Sequence, residues 1–179
     1  MGTVIGVCIC VYIVCAIISK FIRSVAIRDI HTYSSTGQTA INKLQTARKA
    51  TEFVRAYRKF SDSVRHLMSL RKYAPTQEVR VYMDNLFRSF ESFSDEGYQA
   101  LLREVIRKQK DDAIANIKWG ARKSERRKMK EYDQFVADLD KACGSFSKET
   151  RAFADKAVNE VMRATGLMIA PHTPYSSRA

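Results

Sequence analysis

The first charged side chain of this protein is Lys20, and the residues before it read MGTVIGVCICVYIVCAIIS. A stretch that apolar restricts what the rest of the chain can become. As a helix, Thr3 to Ser19 extends roughly 25 Å, and Phe21 and Ile22 lengthen its apolar surface. A helix in the core of a small bundle keeps a polar stripe, and this run has none. A secretory leader opens on Lys or Arg and closes on small residues at a cleavage site, whereas here the cations follow the run. The myristoylation pattern also fails, because Gly6 stands where Ser or Thr is required. Residues 1–22 are therefore expected to form one uncleaved transmembrane anchor. Lys20, Arg23 and Arg28 trail it. The positive-inside rule then puts the N-terminus outside and the C-terminal body in the cytoplasm, or in the matrix for a mitochondrial membrane.

The span carries small residues at regular spacing. Gly2, Gly6 and Cys10 recur every four positions, and Cys8, Tyr12, Cys15 and Ser19 line a second stripe. Small residues let helices approach closely in lipid, and Tyr or Ser hydroxyls bond across such contacts. Gly2, Gly6, Cys10, Tyr12 and Cys15 are accordingly candidates for self-association or for pairing with a partner span.

Beyond the anchor, breakers are scarce. The chain has seven Gly and three Pro, and Pro171 and Pro174 fall near its end. Helical periodicity recurs and strand alternation does not appear, so the expected class is all-α: a transmembrane helix followed by about four long soluble helices. Residues 23–38 read as a juxtamembrane helix and linker, broken at SSTGQ, residues 34–38. Residues 39–166 read as the helical bundle, and 167–179 as an irregular tail.

Within the bundle, one helix is expected from Thr39 to Tyr73, stopped by Pro75. Thr76 is placed to cap a second, whose Val79, Tyr82, Met83, Leu86, Phe87, Phe90 and Phe93 would centre the core. A third starts at Ser94. Its apolar phase survives Gly120, which predicts one continuous helix to Cys143, with a helix-turn-helix at Gly120 as the alternative. The last helix is expected between Ser147 and Thr165, closed by Gly166.

Catalytic chemistry finds no foothold. There is no phosphate-binding glycine loop, and His31, His66 and His172 are scattered. Cys8, Cys10, Cys15 and Cys143 make no metal or disulfide pattern. The pairs Asp111–Asp112 and Asp138–Asp140 read as solvated faces, with neutralisation of the basic helix by Asp133, Asp138 and Asp140 as the alternative, and His66 reads as a surface or helix-stabilising partner of Asp62. No enzyme, cofactor or metal is expected.

The net charge of +12 is uneven. Residues 43–72 and 103–130 each carry +7, whereas 73–102 carry −3. The densest run is KWGARKSERRKMK, Lys118 to Lys130, with seven cations against Glu125. Lys118, Arg122, Arg126 and Lys130 stand four residues apart, with Lys123 and Arg127 in the adjoining row and Trp119 on the basic side. Between residues 121 and 132 the apolar stripe is nearly empty, offering Ser124, Glu125, Lys128 and Met129. Such a surface suits phosphates, lipid headgroups or an acidic protein. Tethering to a membrane favours headgroups and membrane partners over nucleic acid. The expected role is a membrane-anchored interaction or scaffold subunit of a larger membrane assembly, with a tethered nucleic-acid-binding protein as the alternative.

Overall fold

A computed structural model describes residues 2–91, 95–119 and 124–177, with side chains from residue 15 onward. Six α-helices account for most of them: α1 (Gly2–Thr46), α2 (Ala50–Leu70), α3 (Gln77–Glu91), α4 (Asp95–Trp119), α5 (Glu125–Ala142) and α6 (Lys148–Thr165). Single 3-10 turns occupy Arg71–Tyr73, Cys143–Ser145 and Tyr175–Ser177. The described residues contain no strand. The chain divides into two compact units, one of Met1–Thr39 with Lys59–Phe90, the other of Ala40–Arg58 with Glu91–Ala179.

In the first unit, α1 runs through the expected break at residues 34–38. Its hydroxyl side chains fold back on the helix instead of ending it. Thr36 Oγ1 donates to the Thr32 carbonyl at 2.8 Å, and Thr39 Oγ1 to the Ser35 carbonyl at 2.8 Å. Ala26, Ile30 and Gly37 are buried, and with half-buried Tyr33 they make a stripe at spacings of four and three. The Gly37 face lies against Ser63 of α2, and Tyr33 stacks on His66 with ring centroids 4.5 Å apart. These two contacts make α1 and α2 antiparallel. They also correct the expected partner of His66, whose ring rests on Tyr33.

The single helix expected over Thr39–Tyr73 is thus two, parted at residues 47–49. The buried face of α2 in this unit runs through Phe60, Val64 and Leu67, while Met68 is 42% exposed. Pro75 ends α2 and its 3-10 turn, and Thr76 Oγ1 accepts from Val79 N at 3.3 Å at the start of α3. Met83, Leu86 and Phe87 of α3 are buried, and Phe90 meets Phe60 edge-on at 5.9 Å. α3 therefore serves the first unit, not the centre of one large bundle, and Phe93 lies outside the described residues.

The second unit is built on α4, α5 and α6. Leu102, Ile106 and Ile117 of α4, Phe135 and Leu139 of α5, and Ala154, Val158 and Val161 of α6 supply its buried stripes. The continuous helix expected from Ser94 to Cys143 is corrected here. α4 ends at Trp119, α5 starts at Glu125, and α5 runs back along α4, with Gln109 bonded to Asp138 at 3.1 Å. Each arm buries one stripe of its own, so apolar periodicity does not tell whether the two arms run on or fold back. Gly120 itself lies outside the described residues.

Ser147 Oγ accepts from Thr150 N at 3.2 Å to cap α6, and Gly166 closes it with a φ of 68°. The tail after it is irregular but anchored. Tyr175 is fully buried, and the Asp155 carboxylate accepts from its amide at 2.6 Å and from Ser176 N at 3.1 Å.

No helix among the described residues is long and apolar enough to cross a membrane. The side chains of the expected span lie outside the described residues as far as residue 14, including those of Cys10 and Tyr12 on its small-residue stripe. The part that is described is fully exposed. Residues 15–24 are open along their whole length, with Ile17 61%, Phe21 70% and Ile22 46% exposed, and burial on α1 begins near Ala26.

Candidate anion-binding surface

The cations of α4 fall into two classes. Along its middle they are paired. Arg107 meets Glu104 at 2.7 Å and Asp111 at 3.1 Å, and Lys110 reaches Glu160 of α6 at 2.6 Å. The hydrogen bond from Arg107 holds the Glu104 carboxyl at about 2. The hydrogen bond to Glu160 raises the Lys110 ammonium, against the opposing effect of its partial burial.

From Lys118 onward the pairing stops. Lys118 and Trp119 close α4, and Arg126, Arg127 and Lys130 open α5. All five are exposed, Trp119 at 93%. Among the described residues no carboxylate pairs with Lys118, Arg126, Arg127 or Lys130. Arg122 and Lys123 lie outside the described residues. Because α4 and α5 form an antiparallel hairpin, Lys118 and Trp119 share its tip with Arg126, Arg127 and Lys130. The expected row along one continuous helix is instead divided between the end of α4 and the start of α5.

The helix dipoles treat these charges differently. Lys118 sits at the C-terminus of α4, where a cation is favoured. Arg126 and Arg127 sit in the first turn of α5, where a cation is disfavoured, and only Glu125 offsets them. Two arginines held against a helix dipole with no carboxylate partner among the described residues form a surface suited to an external anion.

One member of the run does work inside the fold. Lys128 Nζ donates to the Thr165 carbonyl at 3.3 Å, at the C-terminal end of α6. The apolar gap at residues 124–129 is thus filled in part by a charged cap on a neighbouring helix, and Ser124 serves as the N-cap of α5.

Asp138, read from sequence as solvated, is instead the hub of a polar cluster. It accepts from Thr51 Oγ1, from Thr51 N at 3.4 Å and from Gln109 Nε2 at 3.1 Å, while Gln109 Oε1 accepts from Ala50 N at 3.0 Å. A cleft of about 360 Å³ beside it is walled by Arg48, Lys49, Asp112, Glu131 and Lys141. Charges of both signs alternate there, so it offers no net pull on an anion. No group of His, Cys, Asp or Glu among the described residues could hold a metal ion.

A second cationic site escaped the sequence reading. Met68, Ser69, Arg71, Lys72 and Arg80 line an open cleft of about 380 Å³ at the α2–α3 elbow. The signal available was the Arg71-Lys72 pair just before Pro75, but nothing in the sequence brings Arg80 to it. The Gly2, Gly6 and Cys15 positions of the small-residue stripe all fall on α1, and Cys15 is exposed with a free thiol. No protein-family model, curated protein or solved structure matches the chain.

Proposed function

We propose that this protein is a single-pass, membrane-anchored interaction subunit, without catalysis of its own, that uses the α4–α5 tip to hold an acidic partner or anionic lipid headgroups. The observation that carries the anchor is the bare apolar surface of Ile17, Ile18, Phe21 and Ile22. It stands on a helix that continues unbroken into the body, and residues 15–24 remain open. Lipid would cover that surface and extend over the apolar residues before it. Lys20, Arg23 and Arg28 favour a cytoplasmic or matrix body with the N-terminus outside. Gly2, Gly6, Cys10, Tyr12 and Cys15 would mediate lateral association of the span.

The tip supplies the second half of the reading. Lys118 and Trp119 close α4, Arg126, Arg127 and Lys130 lie in the first turns of α5, and Arg122 and Lys123 fall between them in sequence. An indole prefers the membrane interface and packs equally well at a protein contact. One observation favours a nucleic-acid ligand instead. A Trp that is 93% exposed, next to cations that make no ion pair among the described residues, is a stacking platform for a base.

The full chain in native membranes tests the anchor. It should resist alkaline carbonate, and external protease should spare residues 30–179. Release by carbonate removes the anchor, and cleavage in intact vesicles reverses the topology. For the tip, retention on single-stranded nucleic acid is compared with flotation on anionic vesicles and with partners co-purified in mild detergent. Retention on nucleic acid that exceeds both and falls steeply with salt would favour the second reading.

A further inference from the structure

The elbow between α2 and α3 holds a cleft whose chemistry is one-sided. Its walls are Met68, Ser69, Arg71, Lys72 and Arg80: three cations, a hydroxyl and a thioether, with no carboxylate. The nearest acid in sequence, Glu78, does not line it. The cations are steered by their neighbours. Asp84 grips Arg71 from outside the cleft, with Nε at 2.9 Å and Nη2 at 3.0 Å, which leaves the third guanidinium nitrogen to turn elsewhere. The Lys72 ammonium lies 5.0 Å from the centre of the Tyr73 ring. Met68 brings half-exposed apolar surface to the same place.

Position along α1 adds the second argument. Tyr33 faces His66 and Gly37 faces Ser63, so residue numbers on the two helices sum to about 100. Carrying that register past the end of α2 sets the Arg71–Tyr73 turn level with residues 27–29, just beyond Ala26, where burial on α1 begins. Those residues are five to seven positions, about 7.5–10.5 Å along the helix, from Ile22. That is comparable to the roughly 8 Å over which charge acts at physiological salt.

We propose that the α2–α3 elbow seats the phosphate headgroup of an anionic phospholipid, with Arg71, Lys72 and Arg80 on the phosphate, Ser69 as a donor, and Met68 against the glycerol and upper acyl carbons. This rests on the anchor reading, which brings the elbow to the bilayer surface. Apolar surface beside three cations matches a phospholipid better than a bare phosphate, which would leave Met68 without a role.

The test uses the full chain with Trp119→Phe and Tyr73→Trp, so that the one indole reports on the elbow. It is reconstituted into phosphatidylcholine vesicles with or without phosphatidylserine, each carrying a quencher on the headgroup. Quenching should be much stronger with phosphatidylserine. Lys72→Gln with Arg80→Gln should lower headgroup association about thirtyfold, corresponding to about 1 kcal/mol per cation at an anionic surface. The charge-keeping Lys72→Arg with Arg80→Lys should retain it. Equal quenching in both vesicles, or quenching indifferent to the Gln pair, overturns the proposal while leaving the anchor standing. Relief of quenching by millimolar inorganic phosphate would make the cleft a free-phosphate site and also overturn it. Failure to float with either vesicle sinks the anchor reading itself.

Discussion

Gln109 donates from Nε2 to Asp138 Oδ2 at 3.1 Å, and this bond ties α4 to α5 at the point where α2 begins. The other end of the same amide accepts from Ala50 N at 3.0 Å, and Asp138 accepts from Thr51. The first amides of α2 have no carbonyl partners within their own helix, and side chains from two other helices supply acceptors. A carboxylate at a helix N-terminus also complements its dipole. Gln109→Leu keeps the volume and removes both bonds, leaving a buried amide unmet. It should cost about 1–3 kcal/mol. Hydrogen exchange at Ala50 and Thr51 should quicken by a matching factor. Unchanged exchange there would show that water replaces the Gln109 bonds at no cost.

That cluster also shows where the sequence stops being informative. Ala47, Arg48 and Lys49 all favour helix, so nothing local announces the break between α1 and α2. The break is held by residues 59 and 87 positions away. The opposite error occurred at residues 34–38, where a run of capping residues promised a stop. Ala26, Ile30, Tyr33 and Gly37 were already spaced as one helical stripe, and that longer-range pattern was the better guide. The helical class and the ends of α3 and α6 were legible because Thr76, Ser147 and Gly166 act locally. The basic run at the tip was legible as charge, but its shape was not, because apolar periodicity within α4 and α5 does not tell whether the two run on or fold back.

Gly37 gives a prediction in the stabilising direction. It lies inside α1, where glycine is about 1 kcal/mol worse than alanine. A Cβ there would meet Ser63 Cβ at 3.6 Å, an ordinary contact. Gly37→Ala should therefore raise the stability of the first unit by up to about 1 kcal/mol. Gly37→Leu should lower it, since Ser63 leaves no room for a longer chain. Loss of stability in the Ala variant, read by thermal or denaturant unfolding, would mean that α1 and α2 pack more closely than this contact.

Beside the Asp155 carboxylate, the tail is held by one buried aromatic ring. Tyr175 is fully buried, with Phe146 edge-on at 6.1 Å and its hydroxyl donating to the Val136 carbonyl at 3.4 Å. Truncating a buried aromatic to alanine costs about 3–5 kcal/mol. Tyr175→Ala should cost near the lower figure, because a terminal segment can leave and spare the rest. Protease should then clip the chain after Gly166 while α6 survives. Tyr175→Phe, which keeps the ring, should leave the tail protected.

Glu104 makes a pH prediction whose sign follows from its partner. Its carboxyl is lowered from an ordinary 4.5 to about 2, chiefly by the hydrogen bond from Arg107. A depressed carboxylate stabilises the fold fully above its unfolded value, and that contribution fades as pH falls from about 4.5 through about 2. The pair is exposed, so salt should weaken it. A carboxyl titration followed by NMR should place Glu104 near 2 in low salt. In Arg107→Gln it should return most of the way to 4.5. A midpoint near 4.5 in the parent protein would mean that the pair does not persist in solution.

Arg126 and Arg127 separate a structural role from a binding role. They occupy the second and third positions of α5 after the Ser124 cap, where cations oppose the helix dipole. Replacing both with Gln removes that repulsion and breaks no ion pair found among the described residues. Unfolding should shift by less than about 0.5 kcal/mol, and toward greater stability. Arg126→Glu with Arg127→Glu should stabilise further, since anions suit that position. Binding to anionic vesicles or to an acidic partner should move the other way, weakening with Gln and collapsing with Glu. Adding Lys118→Gln and Lys130→Gln should flatten the salt dependence step by step, whereas Trp119→Ala should weaken binding with little change in that slope. A Gln pair that lowers stability by more than about 1 kcal/mol would point instead to an internal carboxylate as its partner. The tip would then be a piece of the fold, with no external anion to hold.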